Sequence, residues 1–120
     1  MRVLLNGVGR VGKAILRIVL QNHNFEIVAI NELNRSLENI AYSINYDSTY
    51  GKLDDKFEVG SNYIQNSSTK IDILNYKSLE EIDYKLLNID TVIDASGSKV
   101  NVENLKKLSP KSFFLTHPNK

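Results

Sequence analysis

Gly7-Val8-Gly9-Arg10-Val11-Gly12 carries three glycines at the spacing G-x-G-x-x-G. Three such glycines arise by chance in many turns, so the surrounding residues decide what the spacing means. A short β-type run, Val3-Leu4-Leu5, leads into the first glycine, and an amphipathic stretch from Arg10 to Gln21 begins inside the motif. A second apolar run, Phe25 to Ile30, follows, and Glu32 stands just past its end, 20 residues after Gly12. In that setting each residue has a mechanical purpose. Gly7 allows a tight strand-to-helix turn, Gly9 lets the backbone approach a pyrophosphate, and Gly12 brings the helix close to the sheet. The free N–H groups and positive dipole end of the helix attract phosphate. Glu32 accepts hydrogen bonds from ribose hydroxyls and repels a 2′-phosphate, which predicts NAD in preference to NADP. The competing reading is a glycine-rich turn beside an unrelated surface glutamate. The order strand, turn, helix, strand weighs against it.

The elements that must position these residues alternate along the chain as in a βαβ protein. In the first helix Val11, Ala14, Ile15, Ile18 and Val19 recur at helical spacing, with Lys13, Arg17 and Gln21 on the opposite, solvated face. Asn22-His23-Asn24 ends it. Ser36 caps a second helix in which Leu37, Ile40, Ala41 and Ile44 share one face. Residues 45–56 read as loop. Three short β runs come next, at residues 57–59, 63–65 and 70–74, separated by turn chemistry that predicts an antiparallel meander. Ser78 and Glu81 form a capping box for one or two helical turns. A strand follows from Thr91 to Asp94, then a short helix presenting Val102, Leu105 and Leu108 that Pro110 stops, and a last strand from Ser112 to Leu115.

The fold class expected is α/β: a Rossmann dinucleotide-binding fold, mostly parallel, with an antiparallel meander insertion. Residues 1–120 are expected to make one NAD-binding domain. Five parallel-type strands are read where the full order 3-2-1-4-5-6 has six, so the sheet is expected to stop before the last. Ser112 to Leu115 would then be an edge strand carrying Phe113, Phe114 and Leu115. Such an edge invites pairing with a second copy.

Composition narrows the classes. Fifteen basic and fourteen acidic residues give a net charge of +1, against a nucleic-acid surface or a polybasic membrane patch. No apolar run approaches the roughly 20 residues that span a bilayer. A soluble, cytoplasmic setting is expected. With no cysteine, thiolate zinc sites, disulfides and thiol nucleophiles are excluded for these residues, and His23 and His117 alone make no metal site.

Four segments carry a family resemblance: Asn6 to Lys13 (NGVGRVGK), Ala29 to Glu32 (AINE), Asn45 to Gly51 (NYDSTYG) and Ala95 to Gly97 (ASG). Their order and approximate spacing resemble the amino-terminal domain of glyceraldehyde-3-phosphate dehydrogenases, from Arg2 to the last residue. The related erythrose-4-phosphate dehydrogenases look much the same here. The resemblance implies a set of NAD contacts at Asn6, Gly7, Gly9, Arg10, Val11, Gly12, Glu32, Lys77, Ser96, Gly97 and Thr116. Arg10 and Val11 would meet the pyrophosphate through their backbone, Glu32 the ribose and Lys77 the adenine side. Ser96 and Gly97 would line the cofactor, with Thr116 near the nicotinamide half. Departures from the family pattern are Val8 for Phe, Lys13 for Arg and Glu32 for Asp, the last requiring the longer side chain to retract or the ribose to shift. Ser98, Lys99 and Val100 stand where an aromatic is common, and His117 where glycine is. These departures predict weaker or less selective cofactor binding.

The resemblance also implies chemistry that these residues lack. In the family a cysteine holds the aldehyde as a thiohemiacetal and a histidine serves as general base. No nucleophile–base pair replaces them: Asp47 with Ser48, and Glu80 with Glu81, read as loop and capping residues. The chain is therefore expected to bind cofactor without being catalytic by itself, its catalytic domain absent. The alternatives are a free-standing NAD-binding regulatory or sensing module, or a Rossmann remnant serving as an interaction scaffold.

Overall fold

A computed structural model describes residues 2–21, 24–33, 35–47, 51–95 and 112–115; of residues 10, 11 and 112–115 it describes the backbone. The parallel frame comprises β1 (Arg2–Asn6), α1 (Arg10–Leu20), β2 (Glu26–Asn31) and α2 (Leu37–Asn45). A two-stranded pair follows, β3 (Tyr46–Asp47) with β4 (Gly51–Lys52), then the meander β5 (Glu58–Val59), β6 (Tyr63–Gln65) and β7 (Lys70–Leu74). A 3-10 turn (Leu79–Glu81), α3 (Tyr84–Leu87), β8 (Thr91–Asp94) and β9 (Ser112–Leu115) complete the described elements.

The main sheet has the order β5-β6-β7-β2-β1-β8-β9. Its five strands β7-β2-β1-β8-β9 are parallel, and β5 and β6 extend it antiparallel beyond β7. In chain order the parallel strands read 3-2-1-4-5, the Rossmann arrangement expected from the alternation of elements. The pairing register aligns the carboxyl ends: Asn6 opposes both Asn31 and Asp94, Asn31 opposes Leu74, and Asp94 opposes Leu115. Ends in register form one row, the edge on which open α/β sheets bind ligands.

Strand alternation divides the core between two faces. Val3, Leu5, Ile27 and Ile30 pack with Leu16 and Val19 of α1 and with Ile40 and Ile44 of α2. Leu4, Val28, Ala29 and Val92 pack on the other face with Leu79, Ile82, Tyr84 and Ile89. Val28 and Ala29 fall consecutively on the same face because the β1–β2 register shifts between Val3 and Leu4, placing an extra residue in β2.

Capping follows the sequence closely. Ser36 accepts a hydrogen bond from the Asn39 N–H at 3.1 Å, and Ser78 with Glu81 makes the reciprocal capping box. Two local expectations change. Residues 46–52 include the β3–β4 pair, not loop alone, because Leu53 N–H reaches the Asn45 carbonyl at 2.8 Å and folds the segment back. The apolar face of α1 is also rotated. Ile18 is 64% exposed, whereas Leu16 is fully buried. Gly12, Leu16 and Val19, at spacings of four and three, form the stripe against the sheet. Lys13 and Arg17 accordingly lie not in solvent but against the segment after α2. Lys13 Nζ is 3.3 Å from Asp47 Oδ2, and an Arg17 N–H donates to the Ile44 carbonyl at 3.0 Å and to that of Gly51. The short helix expected around 102–108 lies outside the described residues.

Candidate cofactor site

The turn between β1 and α1 has the form that the glycine spacing demands. Gly7 has φ 93°, a left-handed conformation open to glycine and costly for other residues. Its N–H donates to the Asn31 carbonyl at 2.9 Å, which anchors the turn to the end of β2. A Cβ added to Gly12 would lie 2.3 Å from the Gly7 carbonyl oxygen, a backbone atom that cannot swing aside, so helix and turn touch as closely as glycine permits. Gly9 differs. It is the N-cap of α1, and nothing lies within 4 Å of an added Cβ. Gly9 has no side chain with which to cap the helix, and the first-turn N–H groups of a helix have no partner within it.

Glu32 follows β2 directly. Its own N–H donates to the Leu74 carbonyl at 2.9 Å, and its Oε1 accepts from the Val8 N–H at 3.0 Å. The longer acid therefore retracts onto the glycine turn. It lines a cavity of about 510 Å³ between the carboxyl ends of β2 and β7, together with Leu33, Arg35, Asn62, Asn75 and Tyr76. Lys77 is exposed and follows Tyr76. Ser96, Gly97 and Thr116 lie outside the described residues; β8 and β9, the strands before them, pair in parallel beside β1.

Asn6 sits beneath the turn, almost fully buried. Its amide N–H donates to Asp94 Oδ1 at 3.1 Å, and its Oδ1 accepts from Asn31 Nδ2 at 2.9 Å. Asn31 in turn accepts from the Tyr76 N–H at 2.8 Å and donates to the Tyr76 carbonyl at 3.0 Å. A chain of polar side chains thus runs across the ends of β8, β1 and β2 to the segment after β7. Such a network specifies geometry when its members are satisfied. Asn31, Asp94 and Tyr76 were not legible as site residues; an asparagine or aspartate ending an apolar strand was the signal available. Beside this network Tyr84 donates its O–H to the Leu79 carbonyl at 2.7 Å. Burial, and then the charge of Asp94, push its phenol well above the usual value.

The family follows from comparison. Residues 1–102 match the profile described as "Glyceraldehyde 3-phosphate dehydrogenase, NAD binding domain". The chain belongs to that family. As an NAD-binding domain of this kind it carries a Rossmann fold, in agreement with the sheet order above. Among similar proteins, "Glyceraldehyde-3-phosphate dehydrogenase 2" of Staphylococcus aureus (strain Mu50) is 39% identical over 121 residues, covering 98% of this chain and 35% of the relative. "Glyceraldehyde-3-phosphate dehydrogenase 1" of Kluyveromyces marxianus is 34% identical over 124 residues, and that of Kluyveromyces lactis 31% over 122, each covered over 37% of its length. The chain thus spans about a third of the length of the curated relatives it matches. Among the described residues no group of three His, Cys, Asp or Glu side chains gathers to hold a metal. No helix among them is long and apolar enough to cross a membrane.

Proposed function

We propose that this domain holds NAD for a glyceraldehyde-3-phosphate dehydrogenase-like oxidoreductase, a phosphorylating aldehyde dehydrogenase of glycolysis or gluconeogenesis, and contributes binding but no reacting group. The observation that carries the reading is the joined geometry of turn and acid: Gly12 against the Gly7 carbonyl, and Glu32 hydrogen-bonded to Val8 at the mouth of the cavity. These residues fit a dinucleotide. Gly9 and the backbone of Arg10, Val11 and Gly12 receive the pyrophosphate, and Glu32 receives the adenosine ribose. Asn6 supports the turn from below. Lys77 attracts the adenosine side, Ser96 and Gly97 lie along the cofactor, and Thr116 approaches its nicotinamide half. When bound, NAD supplies the hydride acceptor. The 120 residues include no thiol, so they supply no cysteine nucleophile for an aldehyde.

A second reading, an NAD-binding regulatory or sensing module, uses the same turn and acid and needs no reacting group among these residues. Calorimetric titration of NAD, with NADP as control, tests the property common to both. Saturable binding, stronger for NAD, supports it; no heat from a folded chain removes it and makes an interaction scaffold the better account. NAD-dependent aldehyde oxidation by a protein containing this domain separates the two.

We also propose that β9, the last strand of the sheet among the described residues, pairs along its outer edge with a second copy, since a strand edge presents backbone donors and acceptors. Sedimentation that depends on concentration is expected; a concentration-independent monomer sinks the idea. A near-neutral balance of charge fits a cytoplasmic setting with no nucleic-acid or membrane partner.

A further inference from the structure

Asn6, Asn31 and Asp94 close β1, β2 and β8, and all three are buried. Asn6 stands directly before Gly7, and Asn31 directly before Glu32. Asp94 is the charged member of the row. An ionised carboxylate accepts and cannot donate, whereas a carboxamide does both. Asn6 must therefore turn its Nδ2 toward Asp94 Oδ1, at 3.1 Å, which leaves its own Oδ1 for Asn31 Nδ2, at 2.9 Å. Asn31 is set from the other end. Its Oδ1 accepts from the Tyr76 N–H at 2.8 Å, and its Nδ2 donates to the Tyr76 carbonyl at 3.0 Å. Both ends of the row thus demand the same orientation of Asn6. A reversed Asn6 would set its Nδ2 against that of Asn31 and its oxygen against the carboxylate, leaving buried groups unpaired.

We propose that Asp94 is a positioning residue for NAD binding: through Asn6 it locks the end of β1, and with it the Gly7 turn, in the receiving geometry before the cofactor arrives. The inference rests on the NAD-binding reading, which assigns the pyrophosphate to that turn. The lock reaches the backbone on both sides. The Ala95 N–H donates to the Asn6 carbonyl at 2.8 Å, and the Gly7 N–H to the Asn31 carbonyl at 2.9 Å. A turn already fixed in its bound form loses little freedom on binding. Asp94 is wholly buried and acts through Asn6.

NAD is titrated into the native chain, Asp94→Leu and Asp94→Asn, with circular dichroism checking that each is folded. Asp94→Leu puts an apolar group of similar size beside Val92, on the face packed with Leu4 and Tyr84, and leaves the Asn6 amide without its acceptor. Asp94→Asn keeps an acceptor oxygen in place. The lock predicts NAD about tenfold weaker in Asp94→Leu and within about twofold of native in Asp94→Asn. A purely structural role would lower the melting temperature of Asp94→Leu and leave the affinity of the folded chain unchanged, and that result overturns the inference. The native chain gives a test that needs no variant. Without NAD, the Asn6 carboxamide is expected to show one pair of proton signals in nitrogen-edited NMR spectra, protected from exchange with water. Two orientations, or exchange as fast as in a free carboxamide, overturn the lock even if Asp94→Leu fails to fold. A native chain that binds no NAD overturns the parent reading and this inference with it; NAD binding beside an unlocked Asn6 overturns the inference alone.

Discussion

The Val8 N–H donates to the Glu32 carboxylate at 3.0 Å, so the acid at the end of β2 is fastened to the turn that follows β1. An ionised carboxylate has about four acceptor sites on two oxygens. Holding Val8 leaves capacity for ribose hydroxyls, while the negative charge stays beside the cavity.

Removing that acid changes affinity and selectivity together. Glu32→Ala is expected to weaken NAD by about tenfold, the scale of a charge-assisted hydrogen bond. Glu32→Gln keeps an acceptor for Val8 but loses the charge, so it narrows the preference for NAD over NADP. Calorimetry with both nucleotides measures this; an unchanged ratio in Glu32→Gln denies the carboxylate its discriminating role.

Two glycines of the motif separate stability from binding. Gly12→Ala forces a Cβ onto the Gly7 carbonyl and is expected to destabilise the fold by about 1–3 kcal/mol in urea unfolding. Gly9→Ala meets no protein atom and sits at φ −71°, so stability holds within about 0.5 kcal/mol. Its binding of NAD is nonetheless expected to fall, because the Cβ would project where the proposed site receives the pyrophosphate. If Gly9→Ala bound NAD normally, the phosphate could not lie against that residue.

Asn31→Ala leaves the Asn6 oxygen and both Tyr76 backbone groups without their partner. A loss of about 2–3 kcal/mol is expected. Thermal unfolding beside the native chain checks it; an equally stable variant would show the clamp to be dispensable.

Tyr84 gives the alkaline response a direction. Burial first, and Asp94 second, raise its folded value above the ordinary 10.0. Above pH 10 the unfolded phenol loses its proton while the folded one keeps it, so the folded state binds more protons. The stabilisation is complete below pH 10 and is lost as pH climbs toward the raised folded value, at up to about 1.4 kcal/mol per pH unit. Tyr84→Phe, lacking the bond to Leu79, is expected to cost about 1 kcal/mol near neutrality and to flatten that slope. Urea unfolding from pH 8 to 11 reads both effects; a slope unchanged by Tyr84→Phe assigns it to other groups.

The sequence by itself determined what depends on neighbours along the chain. The glycine turn, the caps at Ser36 and Ser78, the meander and the alternation behind the 3-2-1-4-5 order each arise from spacings of a few residues, where backbone sterics and local hydrogen bonds decide the outcome. Tertiary structure alone decided the rest. Which face of α1 is buried, and hence that Ile18 is exposed while Lys13 meets Asp47, depends on where the segment after α2 returns. That Asn6 supports the turn from below depends on Asp94, 88 residues away, and the setting of Tyr76 on Asn31, 45 residues away. A polar side chain at a strand end looks the same in sequence whether it faces a ligand, water or another strand. Only closure of the sheet brings its partners within hydrogen-bond reach and removes the water that would otherwise satisfy it.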